Sequence, residues 1–452
     1  MSSSLTQTIG TFLNNITFSD LPAGSIAAAK IGIADVLGVM IAGSNEPVVT
    51  KLIDVLGDGP EEASILLGAR RARALDVALI NGAAAHALDF DDVALRGHPS
   101  TVLVPAILAE AEVLGADGEA VITAYVSGYE VWAELVFREP GHHHQKGWHP
   151  TGVFGAVAAG AACAVLRGLD AISSAHAVAI AASESAGLMA NFGTMTKPFH
   201  AGRAASAGIL AARLAANGMT AAQDALEHPQ GFLNAISPSG EADTSSSAEN
   251  LGRRWRVLEH GISVKKYPLC YCTHRNLDAI LELLAKQPIS PDEVEEVEVS
   301  LSDTHAVILR NHSPQTALEA KFSIEFAMAA ALIARSAGIG ELQDEFVRDP
   351  AVQSLMERVR VVVNKDYDPD ARGFSKYDQV KLHLKSGAVI ESSKVKRAKG
   401  HSSRPLSTEE LWQKFRVCVQ AAGPQLDPAH LFAQVQALET LGSVRELTET
   451  AN

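Results

Sequence analysis

The chain has 452 residues, 47% of them hydrophobic and 20% charged, so it can bury a large core and is not a disordered protein. Its formal net charge of −14 disfavours a nucleic-acid partner, because binding to phosphates requires a basic surface. The longest apolar run, residues 153–166, is shorter than the ~20 residues of a membrane span, so no membrane partner is expected.

Helices dominate the prediction from residue 21 to about residue 217. Between Ile26 and Ile41, apolar side chains recur at steps of three and four residues, as on one face of a helix. Asp20 is predicted to cap the start of this helix, and Gly43 suits its end. Small residues lie on several sides of the further predicted helices, as expected of helices buried among helices: 74–88, 99–114, 119–135, 151–167, 171–186 and 202–216.

The pattern changes after Leu251, where predicted strands alternate with helices. The strands are expected at residues 256–263, 294–302, 359–363, 379–384 and 388–392, and the helices at 272–285, 317–337, 346–357, 406–421 and 428–438. The predicted fold class is therefore mainly α. A large all-helical domain is expected at residues 1–265 and 400–452, and a smaller α+β lid domain at residues 266–399.

Titratable side chains crowd the segment 81–101. A run of small residues carries His86 into an acidic cluster of Asp89, Asp91 and Asp92, and His98 follows six residues later. Carboxylates and imidazoles beside an apolar surface push each other's proton affinities apart, which proton-transfer chemistry uses. The alternative interpretation is a solvated helix end followed by a turn.

Histidines recur in residues 141–151. The three consecutive histidines 142–144 predict a polar surface loop and not a metal site, because adjacent residues do not face one point and HEXXH spacing is missing. His149 is different, since it repeats the His-Pro-Ser/Thr form of His98 and precedes an Ala- and Gly-rich helix. The helix dipole disfavours a charged imidazole at that position, so His149 is a candidate base.

Two basic segments complete the candidate residues. Lys197 precedes Pro198 and is therefore predicted in extended backbone, with His200 and Arg203 following; the alternative is an ordinary charged loop. The second segment, residues 265–275, leads into a helix, and its alternative is a basic linker. It offers Lys265, Lys266, His274 and Arg275.

Cofactor motifs are missing from the sequence. It contains no Gly-rich nucleotide loop, no nucleophile elbow and no ferredoxin-type cysteine run, so we expect no cofactor and no metal. The four cysteines are few for so long a chain, and the polar N-terminus lacks the features of a secretory signal. Both observations predict a cytoplasmic protein with reduced thiols.

Several motifs, in this order along the chain, resemble those of the MmgE/PrpD family: DFDD, HPS, GWHPTGVFG, TKPFHAG and KKYPLCYCTHRNLDA. Patterns near both ends of the chain agree with the family as well. The resemblance implies a helical domain with a smaller α+β lid, a homodimer, and cofactor-independent chemistry on small di- or tricarboxylates. By motif match, the functional positions of the family fall on Asp89, His98, His149, Lys197 and His274.

The family includes 2-methylcitrate dehydratases, cis-aconitate decarboxylases and iminodisuccinate epimerase, and proton removal beside a carboxylate is the step we expect them to share. His98 or His149 is the expected base and His274 the opposing acid, with Asp89 orienting one imidazole. Lys197 is expected to stabilise the resulting anion. Further substrate contacts are expected from Arg203, Lys266, His200 and Arg275.

Two departures decide which branch is expected. Relative to the decarboxylase branch, one residue is missing between DFDD and HPS, and Val93 stands in place of a threonine. The chain is also shorter than typical dehydratases. We therefore expect an isomerase, an epimerase of iminodisuccinate-like amino-polycarboxylates. The alternatives are a dehydratase of the 2-methylcitrate type, a decarboxylase of the cis-aconitate type, and a non-catalytic helical dimerisation or binding module.

Overall fold

A computed structural model describes residues 4–66, 70–369 and 373–448 of the chain. These residues form two compact units, one made of Met1–Ser263 with Ser407–Asn452 and the other of Val264–Leu406. The fold is mainly α, as predicted. The first unit is helical apart from a pair of two-residue strands, β1 (Ala63–Ser64) and β2 (Arg71–Ala72), and the second unit is α+β.

Helices of the first unit are rich in alanine and glycine and are mostly buried. Several begin at side chains that cap the free backbone N–H groups; Asp117 and Asp170, for example, accept hydrogen bonds from Ala120 and Ser173. In chain order these helices are α1 (Leu5–Asn15), α2 (Ala23–Ala42), α3 (Pro47–Leu56), α4 (Ala74–Ala87), α5 (Ser100–Leu114), α6 (Gly118–Val136), α7 (Pro150–Leu166), α8 (Ala171–Ser183), α9 (Thr196–Ala216), α10 (Phe232–Ile236) and α11 (Arg256–His260).

Two glycines allow α4 and α9 to pack closely. A Cβ atom on Gly82 would lie 2.7 Å from Cα of Gly202, and one on Gly202 would lie 2.0 Å from the backbone oxygen of Leu79. Only glycine fits at these positions, because a side chain would force the helices apart. His86 and Lys197 lie about one turn from this crossing on α4 and α9, so the close approach fixes the elements that carry them.

The second unit contains the helices α12 (His274–Lys286), α13 (Asp303–Ile308), α14 (Ala317–Ala320), α15 (Ile324–Ala334), α16 (Asp344–Val347) and α17 (Pro350–Met356). Its sheet has the strand order β4-β3-β5-β6, formed by β3 (Val294–Leu301), β4 (Val359–Val363), β5 (Gln379–Leu384) and β6 (Val389–Glu391). Strand β3 runs parallel to β4 and antiparallel to β5. Its side chains alternate between a buried apolar face and a charged face, as the pleat requires.

After residue 406 the chain returns to the first unit with α18 (Thr408–Ala421), α19 (Pro428–Gln436) and α20 (Arg445–Thr448). Ser407 caps α18 in a capping box with Glu410. Helix α18 packs on α2, and this contact brings Lys414 to the buried Asp35. The C-terminal return therefore contributes to the core of the first unit.

Most predicted elements are confirmed, with boundaries that differ mainly at the ends. Helices α1, α3, α10, α13 and α20 were not predicted. The segment 317–337 is two helices because Ser323 caps α15. Asp20 does not cap α2; its carboxylate accepts hydrogen bonds from Thr17 at a preceding 3₁₀ turn. Gly43 does end α2, as predicted.

The strand predicted at residues 256–263 is wrong. Residues Arg256–His260 form the short helix α11, because the buried Glu130 carboxylate accepts the backbone N–H groups of Arg256 and Val257, each at 2.9 Å. This interaction satisfies donors at the helix start that the sequence alone does not show. Ser263 forms a single antiparallel bridge with Val93.

Among the described residues, the helical stretch Ala23–Asn45 is the one that is long and apolar enough to cross a bilayer. Of its most apolar window, 67% is buried within the protein, as in the core helix of a soluble protein.

Candidate active site

The loop between α4 and α5 turns three carboxylates into the first unit. Asp89 has a φ of 49°, in the left-handed region that aspartate tolerates better than most side chains. The loop is held from two sides: the Trp132 indole donates to the backbone oxygen of Leu95 at 3.2 Å, and Lys414 donates to that of Phe90 at 2.7 Å. As a result Asp89, Asp91 and Asp92 are all buried.

Asp91 binds two imidazoles. Nδ1 of His86 lies 3.0 and 3.1 Å from the two carboxylate oxygens, and Nδ1 of His98 lies 2.8 Å from Oδ2. The His98 nitrogen also lies 2.9 Å from the backbone oxygen of Asp92. Although burial alone raises it, the pKa of Asp91 is held well below its ordinary value by the two imidazoles, so Asp91 is an anion between two ring N–H donors.

Asp89 has a different partner from the one predicted. Its carboxylate forms a buried ion pair with the Lys197 ammonium, which also lies 5.3 Å from the centre of the Phe192 ring. The sequence predicted that Asp89 orients an imidazole; in the structure Asp91 contacts both His86 and His98.

Lys197 lies in the first turn of α9 and not in extended backbone as predicted. Proline is tolerated in the first turn of a helix, because the N–H that it lacks has no partner inside the helix there. Pro198 therefore does not prevent the helix from starting at Thr196, and Lys197 lies at its N-terminal end.

A second pair of imidazoles lies beside the first. His149 occupies the N-cap position of α7, its Nδ1 is 3.1 Å from Nδ1 of His200, and its ring stacks on that of His86 at 5.7 Å. Burial is the largest cause that lowers the pKa of His149 well below its ordinary value, and the positive charge of Lys197 lowers it further. Burial likewise lowers the pKa of His86 to about 3 and that of His200 to about 4. All three rings are therefore neutral, and burial is the main cause. For His149, the sequence had suggested the helix dipole as the cause.

The histidines 142–144 are not simply a polar surface loop. His143 is buried with its ring against Phe154, and the ring of His144 lies 6.4 Å from that of Phe192. Burial lowers the pKa of His143 to about 4 and that of His144 to about 3. His144 therefore belongs to the surroundings of Lys197 and His98.

Asp92 faces away from the histidines. Burial, followed by the charges of Asp35 and Asp91, raises its pKa well above the ordinary value and favours the neutral acid. Close to Asp92, Lys414 and Asp35 form a buried ion pair at 2.6 Å. The ammonium of Lys414 lies 4.0 Å from the centre of the Phe90 ring. This pair supports the acidic loop from the side of α2 and α18.

The ligand atoms of His86, Asp91 and His98 are close enough to consider a metal ion, since they lie within 4.8 Å of one another. Nδ1 of His86, however, meets the carboxylate of Asp91 with the geometry of a hydrogen bond, and Nδ1 of His98 has such geometry toward the backbone oxygen of Asp92. A nitrogen that carries a proton has no lone pair for a metal. A second group, Glu296, Glu298 and His383, has both carboxylates paired with Arg360.

The remaining predicted residues have other surroundings. Arg203 pairs with Glu184 while about a third of its side chain is exposed. In the second unit, Lys266 is about half exposed at 3.9 Å from Asp278, and buried His274 contacts the backbone oxygen of Leu269. The Arg275 guanidinium binds Asp378 and the backbone and hydroxyl oxygens of Ser375. These contacts make Arg275 part of a buried polar network.

The structure therefore brings together four predicted residues of the first unit, Asp89, His98, His149 and Lys197, with His200 beside them. It adds His86 and Asp91, which lie in the crowded segment 81–101 but are not among the predicted site residues. The signal for Asp91 is its place in DFDD, two residues after Asp89. In so tight a loop, residues two positions apart have different partners: Asp89 pairs with Lys197, and Asp91 contacts the imidazoles.

Comparison with known proteins places the chain in a family. The MmgE/PrpD N-terminal domain matches residues 7–245, and the MmgE/PrpD C-terminal domain matches residues 267–439. The relatives include cis-aconitate decarboxylase of Mus musculus, 26% identical over 99% of this chain and 93% of the relative, and that of Homo sapiens, 29% identical over 75% and 71%. Cis-aconitate decarboxylase of Aspergillus terreus is 25% identical over 100% of this chain and 96% of the relative. The chain belongs to the MmgE/PrpD family.

Proposed function

We propose that this protein is a lyase that decarboxylates a small unsaturated tricarboxylate of the cis-aconitate type. The relatives named above are decarboxylases, which are lyases, and the expectation of an epimerase finds no support in them. The structural observation that carries the proposal is the contact of a partly exposed imidazole, His98, with the buried carboxylate of Asp91 at 2.8 Å.

Loss of CO₂ from such a substrate requires a proton donor. In cis-aconitate, one carboxylate is attached to a carbon next to the double bond. When that carboxylate leaves as CO₂, the electrons of the broken C–C bond form a new double bond, and the carbon at the far end of the old one takes a proton. A trianion and one proton thus become a dianion and CO₂. The protein must deliver a proton to carbon, where the sequence analysis expected it to remove one.

His98 is the side chain best suited to carry that proton. The anionic Asp91 at Nδ1 stabilises a positive charge on the ring, while 14% of the His98 side chain remains exposed. Burial keeps His149 and His200 neutral, and His86 is neutral although it also binds Asp91. This contrast favours His98 over His149, a choice that the sequence left open.

Lys197 supplies the complementary positive charge. As electrons move toward the protonated carbon, negative charge builds on the carboxylate attached to it, and a fixed ammonium in a poorly hydrated site stabilises that charge. Lys197 is buried, and its ion pair with Asp89 holds the ammonium in one orientation. His274 stays a predicted catalytic residue by motif match.

The test is incubation with cis-aconitate in D₂O, read by ¹H and ¹³C NMR. We expect release of CO₂ and a 2-methylenesuccinate that carries one deuterium on its saturated carbon. A parallel sample contains 2-methylcitrate, and the appearance of a conjugated alkene there without CO₂ release from cis-aconitate would replace the proposal by a dehydratase. If cis-aconitate does not react at a millimolar concentration that saturates the enzyme, the decarboxylase proposal is refuted.

We also propose, from the family resemblance, that the protein works as a cytoplasmic homodimer. Light scattering coupled to size-exclusion chromatography distinguishes a dimer from the 47.7 kDa monomer.

A further inference from the structure

His86 is a buried histidine that the proposed reaction does not use. Its residue is 1% exposed, and it lies at the end of α4 with its ring 4.6 Å from that of His98. Neither the motif match nor the relatives assign it a role. Its contacts, however, reach the group that stabilises the proposed proton donor.

The position of the His86 proton follows from its surroundings. The ring is neutral, because burial lowers its pKa to about 3, so it carries one N–H. Nδ1 lies 3.0 and 3.1 Å from the two oxygens of an anionic carboxylate, which repels a lone pair and attracts a proton. Among the described residues, Nε2 has no hydrogen-bond partner. The proton is therefore on Nδ1, and His86 donates it to Asp91.

We propose that His86 is a positioning residue that shares the Asp91 carboxylate with His98 and so limits how strongly Asp91 holds a proton on His98. A carboxylate that already accepts one N–H stabilises a second cationic donor less than a carboxylate with a single partner does. His86 thereby makes the His98 imidazolium a stronger acid. This property suits a group that must give a proton to carbon, and in that respect the inference rests on the proposed function.

Other charges around the two rings must be considered together with His86. The acidic loop contributes Asp91 and Asp89, the second of which is paired with Lys197 from α9. The remaining neighbours are imidazoles kept neutral by burial. Asp91, Lys197, His144 and His149 interact with the ring of His86, the ring of His98 or both. Substitution of His86 leaves all of these in place, so a change in protonation of His98 reports on the shared carboxylate.

Three substitutions separate the role of the Nδ1–H group from that of the ring. His86→Asn places an amide N–H close to the position of Nδ1 and keeps the bond to Asp91. His86→Leu removes the donor, and His86→Met also removes it with a more flexible apolar side chain, in case the leucine variant does not fold. ¹⁵N NMR of histidine-labelled protein without substrate shows whether the His98 ring is neutral or an imidazolium at each pH.

We expect the His98 imidazolium to persist to a pH about one unit higher in His86→Leu and His86→Met than in the wild type, a tenfold change in proton affinity. His86→Asn should follow the wild type. If the chain decarboxylates cis-aconitate, the alkaline limb of kcat/KM, where His98 loses the required proton, should shift in the same direction by the same amount. If the leucine and methionine variants titrate like the wild type, or if the asparagine variant titrates like them, the inference is overturned. Because the NMR measurement needs no substrate, a failure of the proposed function is seen separately.

Discussion

Asp91 and His98 lie seven positions apart in the sequence, yet the loop between them folds back so that Oδ2 of the carboxylate is 2.8 Å from Nδ1 of the ring. Asp92, the next residue, is equally buried but turns its carboxyl group away and contributes only its backbone oxygen to His98. Two adjacent acids in one loop therefore differ in ionisation. Burial raises the pKa of Asp92 well above its ordinary value, while the imidazoles hold that of Asp91 well below it.

This difference makes the two acids a matched pair for substitution. Asp91→Asn removes the negative charge that stabilises an imidazolium at His98, so we expect kcat to fall by about 10²–10⁴, the usual contribution of positioned proton transfer. Asp92→Asn replaces a neutral acid by a neutral amide of the same shape and should lose little activity. Steady-state kinetics on cis-aconitate measures both. Equal losses in the two variants would contradict the assignment of the charge to Asp91.

The Lys197–Asp89 pair has a structural and a chemical role that can be separated. Lys197→Met leaves the buried Asp89 carboxylate without its ammonium and should lower the free energy of unfolding by about 3–5 kcal/mol. In the double variant Lys197→Met/Asp89→Asn the buried carboxylate charge is gone as well, so much of that stability should return while activity remains lost. Urea denaturation and kinetics are the measurements. Recovery of activity together with stability would show that Lys197 acts only through the fold.

Lys414 ties the C-terminal helix α18 to the core and to the acidic loop. Its ion pair with Asp35 is buried, so Lys414→Met should cost about 3–5 kcal/mol in the free energy of unfolding. Lys30 pairs with Glu439 at a more exposed position, and Lys30→Met should cost about 1 kcal/mol or less. Urea midpoints of the two variants test the difference. A small cost for Lys414→Met would show that water reaches Asp35.

Buried neutral histidines predict loss of stability in mild acid. The pKa of His200 is about 4 in the folded protein against an ordinary 6.5, so between these values the unfolded chain binds more protons. Stability therefore falls as the pH falls through this window, by about 1.4 kcal/mol per pH unit for each such histidine. His200→Asn keeps a donor near Nδ1 for His149 but cannot titrate. The slope of unfolding free energy against pH should decrease by about one proton in this variant, and an unchanged slope would be inconsistent with a neutral His200.

Local sequence patterns predicted the helices well, because buried helices rich in small residues leave a regular trace. They failed where a distant side chain decides the outcome. Glu130 turns residues 256–260 into a helix by accepting their N–H groups, and nothing near those residues signals it. The prediction of extended backbone at Lys197 followed from Pro198, because proline disfavours helical backbone at the residue before it. In the first turn of a helix, where Pro198 lies, proline is tolerated.

The sequence predicted which residue types form the site more successfully than it predicted which side chains contact each other. The sequence placed acids and histidines in the same loops, but whether Asp89 or Asp91 contacts an imidazole depends on the positive φ of Asp89 and on the two hydrogen bonds that hold the loop. Arg275 was expected to contact substrate, but in the structure it binds the buried Asp378. Its partner lies more than 100 positions away, which no local pattern shows.

The central claim is that His98 delivers a proton to carbon during loss of CO₂. His98→Asn tests it most directly, because asparagine can keep the N–H toward Asp91 but lacks the nitrogen that would carry the proton. With cis-aconitate, we expect turnover to fall by at least about a hundredfold, while the melting temperature stays close to that of the wild type. Turnover at the wild-type rate in a folded His98→Asn variant would contradict the claim.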